Sequence, residues 1–71
     1  MSWVFETFKS PNGVFVEYLW DKYNGYEMVV GTYDKERHMV CNTKYYIYAS
    51  EEQARKAFKR KVARVKREEA A

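Results

Sequence analysis

Cysteine and histidine are almost missing from this chain: Cys41 and His38 each stand alone among 71 residues. A lone cysteine excludes the internal disulfide framework on which small secreted domains depend. Two candidate ligands fall short of the roughly four that a zinc site needs. Three residues apart on an expected strand, they point to opposite faces and form no nucleophile–base pair. Glycine and proline are scarce at three and one, and nothing reads as a linker, a repeat or a low-complexity stretch. Tyr48-Ala49-Ser50 stands where a phosphate-cradling glycine loop would precede the final helix. Apolar runs such as Met28-Val29-Val30 are far shorter than the roughly 20 residues of a membrane span. Met1 to Glu6 lacks a basic region followed by an apolar one, so no leader is expected and the chain reads as cytoplasmic. Catalysis, a metal centre, a cofactor and a small-molecule substrate are accordingly not expected.

What is present is globular: 46% hydrophobic, 18% aromatic and 32% charged, a balance too apolar for disorder. One domain over 1–71 is expected. The net charge of +3 is unevenly placed. Residues 1–50 hold five Lys/Arg against six Asp/Glu, a net −1, whereas residues 51–71 hold eight against four, a net +4. The basic character belongs to the C-terminal segment, which raises the expectation of an anionic partner.

Three turn signals divide the first 48 residues. Ser10-Pro11-Asn12-Gly13 reads as a type I turn with glycine at the left-handed position. Asn24-Gly25 reads as a two-residue hairpin. Asp34-Lys35-Glu36-Arg37 is polar between two β-branched and aromatic runs, and reads as a third hairpin. Strands are expected near 2–9, 14–23, 26–33 and 38–48. Ser50 then opens an S-x-x-Q box with Glu51 and Glu52 in the first turn, predicting a helix over 50–68. Opposite charges at Glu51–Arg55, Glu52–Lys56 and Arg64–Glu68 support it. The expected fold class is α+β: a four-stranded antiparallel meander followed by one C-terminal helix packed on one face.

The turn types also predict which side chains share a face. The first sets Phe8 opposite Val16 and Phe5 opposite Leu19. The second, taken as two residues, sets Leu19 opposite Val30 and Lys22 opposite Glu27. The third, also taken as two residues, sets Val30 opposite Cys41 and Glu27 opposite Lys44. One face then carries Trp3, Phe5, Phe15, Leu19, Met28, Val30, Met39, Cys41, Tyr45 and Ile47, expected beneath the helix. The other carries Tyr18, Trp20, Tyr33, His38, Tyr46 and Tyr48 among valines and Phe8, and is expected to stay wet. A solvated face should be mostly polar. A Tyr/Trp-rich one marks a partner interface.

On the helix, Ala54, Ala57, Phe58, Val62 and Val65 fall in one sector and face the sheet. Lys61 lies at its margin, where its stem can pack. Arg55, Lys56, Lys59, Arg60, Arg64, Lys66 and Arg67 cover the rest, with no acid between Arg55 and Arg67. These seven are the candidate contacts to nucleic acid or an acidic protein surface.

Two functional expectations follow, both of a non-enzymatic binding module. The first is association with nucleic acid or a nucleoprotein assembly through the basic ridge and the aromatic face. The sheet-then-helix outline is similar to that of single-strand binders and of the arm-binding domains of phage integrases, with no shared residue motif, so no site residue is carried over. The second is a protein-interaction module, a homodimer or a phage-type inhibitor or adaptor, that docks through its Tyr/Trp face without touching nucleic acid.

Overall fold

A computed structural model describes residues 1–71 and shows β1 (Ser2–Lys9), β2 (Val14–Asp21), β3 (Gly25–Asp34), β4 (Met39–Tyr48) and α1 (Glu51–Ala70). The strands form one antiparallel sheet in the order β1-β2-β3-β4, and α1 packs across one side of it. The α+β meander-plus-helix architecture is therefore as the sequence predicts. The helix is no membrane span, being too short of apolar residues to cross one.

The first hairpin follows its turn chemistry. Gly13 adopts φ 87°, the Gly13 amide donates to the Ser10 carbonyl at 3.0 Å, and Phe8 pairs with Val16. Further along, β1 inserts an extra residue at Phe5, so Val4 rather than Phe5 stands opposite Leu19. Such a bulge turns its side chain out of the regular alternation. Phe5 stacks on Tyr18 with centroids 5.3 Å apart.

The second and third turns depart from the expected two-residue loops. Asn24 is not left-handed, as a type I′ turn would require. The Asp21 carboxylate instead accepts the Tyr23 amide at 2.8 Å, Gly25 alone takes a positive φ of 76°, and Asp21 pairs with Gly25. Leu19 thus faces Glu27, three positions from the expected Val30. In the third connection Asp34 accepts the amides of Glu36 and Arg37, His38 turns left-handed, and Asp34 pairs with Met39. A bulge around Gly31 and Asn42 then brings Val30 opposite Lys44 rather than Cys41, and Glu27 opposite Ile47 rather than Lys44.

A shift of three reverses the face, because strand side chains alternate with a period of two. The expected face assignment is corrected accordingly. Val16, Tyr18 and Met28 lie under Ala54 and Phe58, with Phe5, Phe8, Val30 and Tyr48 around them. Phe58 is only 2% exposed, and its ring centroid is 4.9 Å from that of Tyr18. Phe15, Leu19 and Val29, two of which were expected beneath the helix, form a separate cluster on the opposite, uncovered face with Tyr33 and Val40. Tyr45 and Ile47, also expected beneath the helix, lie on that face as partners of Val29 and Glu27.

Candidate functional site

The helix starts where its caps dictate. Ser50 is extended, and its hydroxyl accepts the Gln53 amide at 3.2 Å. The Gln53 side chain in return accepts the Ala49 amide at 3.1 Å. From this corner beside β4, α1 crosses the sheet toward the first hairpin, where Glu69 accepts the Asn12 amide. A single helix cannot cover four strands, whose sheet is roughly 19 Å wide at ~4.8 Å per strand. Sheet is left open on both flanks of it.

On the β4 flank lies a groove of about 230 Å³ lined by Met28, Tyr48, Ala57, Arg60, Lys61 and Arg64. It continues toward the start of the helix past Gln53 and Lys56. Tyr46 and Lys44 share this side of the sheet, as cross-strand partners of Met28 and Val30. The spacing of Lys56, Arg60, Arg64 and Arg67, near one helix face at intervals of three and four, turns them to the same flank. Burial first, and then the neighbouring Tyr46 phenol, push the Tyr48 hydroxyl above its ordinary range, while the Arg60 guanidinium opposes the rise. Arg60 and Tyr48 line the groove together. Two cations are partly engaged: Lys56 pairs with Glu52 at 3.3 Å and Arg64 with Glu68 at 3.8 Å. Both pairs are exposed and exchange readily with other anions.

The remaining predicted cations lie elsewhere. Lys66 sits 5.6 Å from the Phe8 ring, and Arg55, eleven residues earlier, lies on the same helix face by spacing. Lys59 falls between them on the β1 flank by helical spacing. The expected basic ridge is thus two stripes on either side of the helix, all seven residues being exposed.

The six aromatic-interface candidates are not gathered on one wet face. Tyr18 is buried under Phe58, Tyr33 points to the uncovered face beneath the Lys9 ammonium, and His38 sits exposed in a turn. Trp20, Tyr46 and Tyr48 lie on the helix side of the sheet with that side's other residues. Trp20 belongs to a cross-strand row absent from the expected register: Trp3 pairs with Trp20, Trp20 with Tyr26, and Tyr26 with Tyr48. At the β1 end of this row a hollow of about 280 Å³ is lined by Met1, Trp3, Phe5, Trp20 and Tyr26. Lys44 and Lys61 were likewise outside the expected set. Correct register for the second and third hairpins finds Tyr26, Tyr48 and Lys44 in these positions; Trp3 opposite Trp20 follows from the bulge at Phe5, and Lys61 from helix spacing.

Fold and site together define a two-layer α+β module whose helix-bearing side combines exposed cations with aromatic rings. No protein-family model, curated protein or solved structure matches the chain.

Proposed function

We propose that this chain is a non-enzymatic nucleic-acid-binding module that holds a single strand in the groove between α1 and β4. One observation carries the reading: Tyr48 shares the groove with Arg60, Lys61 and Arg64. Guanidinium and ammonium groups neutralise phosphates, while tyrosine faces stack on unpaired bases, a combination that suits single strands better than duplex. The wet aromatic face expected from sequence would have lain across the sheet from these cations. The observed register supports the proposal by putting Tyr46 and Tyr48 on their side.

Fluorescence anisotropy with labelled single-stranded and duplex oligonucleotides across a salt series tests it. Tight single-strand binding at about 50 mM salt, weakening steeply as salt rises, is the expected result. Absence of binding at that salt to any oligonucleotide would remove the proposal.

A protein partner is the second reading, favoured by Trp3, which is 65% exposed beside the Trp20 hollow. Tryptophan is enriched at protein interfaces. Under this reading the Trp3 corner docks the partner and the cations meet its acidic surface.

A further inference from the structure

The uncovered face of the sheet carries features that a solvated face would not. Val4, Tyr45 and Ile47 expose 48%, 64% and 63% of their surface around the Phe15, Leu19 and Val29 cluster. Among them Glu27 is 6% exposed, and its carboxylate makes no hydrogen bond or ion pair within the chain. A carboxylate so placed gains from a cation brought by whatever covers it. Only one strand cation points to this side: Lys9, the cross-strand partner of Phe15.

We infer that a second copy of this chain covers the face, forming a two-fold dimer in which Lys9 of each subunit meets Glu27 of the other. The opposite charges supply the complementarity, and the register fixes where the axis runs. Lys9 lies level with Phe15 on β1, and Glu27 level with Leu19 on β3, so Glu17 on β2 stands midway between them. A two-fold axis lying between the two faces, passing over that midpoint at right angles to the Lys9–Glu27 line, sets each Lys9 against the other subunit's Glu27 and lets one patch contact itself. Separation of the pair is roughly 13 Å along the strands and 10 Å across them. The Glu17 carboxylate, which would meet its own copy, is tied by the Thr7 hydroxyl at 2.8 Å. Four strands of eight to ten residues span roughly 19 by 30 Å, a flat area of about 570 Å², which side-chain relief has to raise toward the roughly 800 Å² per partner of a stable interface. The dimer would leave both α1–β4 grooves facing outward, so it is independent of the nucleic-acid proposal.

Sedimentation equilibrium of the full chain, without nucleic acid, tests it. Twice the 8.6 kDa chain mass is expected at high micromolar concentration. Lys9→Glu and Glu27→Lys should each weaken association at least tenfold by setting like charges together, and the double swap should restore it. Near-ultraviolet circular dichroism verifies that each variant is folded. If Glu27→Lys fails to fold, Lys9→Glu, at an exposed position, decides the matter alone. A wild type that remains monomeric at about 0.5 mM overturns the inference, as does a dimer indifferent to Lys9→Glu. A folded swap variant that stays monomeric overturns the Lys9–Glu27 pairing. A monomer whose oligonucleotide affinity falls on Tyr45→Glu would assign the face to nucleic acid instead, again overturning the dimer.

Discussion

Gly31 holds its place by contact rather than by dihedral angle. A Cβ added there would lie 2.8 Å from the Cys41 carbonyl oxygen and 3.0 Å from a Val40 methyl. Backbone cannot retreat as a flexible side chain can, so Gly31→Ala should destabilise the fold by about 1–3 kcal/mol, read as a lower urea midpoint with unchanged slope. Tyr18 offers a different test. Burial, and secondarily the Glu6 carboxylate on its cross-strand neighbour, raise the Tyr18 hydroxyl above its ordinary value near 10, against an opposing pull from Arg55. The native chain therefore keeps this proton to a higher pH than the unfolded chain does. Stability tied to it is fully present below about pH 10 and is lost as pH climbs past that value. Tyr18→Phe, which removes the titration, should flatten this alkaline decline in urea melts at about pH 8 and pH 10.5, leaving the part due to Tyr48.

At the scale of elements, α1 and the first hairpin were legible because their signals are local. Ser50 and Gln53 cap the helix within four residues, and Gly13 closes a three-residue loop as its sequence implies. Ser50→Ala should cost about 1 kcal/mol, measurable as a fall in thermal midpoint with the folded-state helical signal retained. The other two turns depart from the two-residue expectation for a physical reason. Asn24-Gly25 is open to both a two-residue and a three-residue loop, and a side-chain hydrogen bond from Asp21 selects the longer. Asp34 lengthens the third loop in the same way by capping Glu36 and Arg37. Neither bulge has a sequence signature as strong as its consequence, which is to move whole strands of side chains between faces. The helix stripe is nonetheless plain in the sequence: Ala54, Phe58 and Val65 are the residues α1 buries.

For the whole molecule, charge distribution was legible and the composition of each surface was not. Counting residues locates the cations on α1, but only the register decides which aromatic rings stand beside them. Arg60 and Arg64 wall the groove, whereas Arg55 and Lys66 belong to the other flank. The double reversal Arg60→Glu with Arg64→Glu should therefore weaken oligonucleotide binding similarly across sequences and reduce the salt slope by about two. Titrations of several base compositions across the salt series would check this, and base-selective loss would contradict a phosphate role for the pair. The same substitutions on the flank of Arg55 and Lys66 should have a smaller effect.

Both outer strands of the sheet are interrupted, β1 at Phe5 and β4 at Asn42 and Thr43. Outer strands present unpaired amides and carbonyls that recruit further strands, and an irregular, twisted margin is a poor template for that addition. In a chain rich in β-formers, such margins discourage open-ended fibre growth.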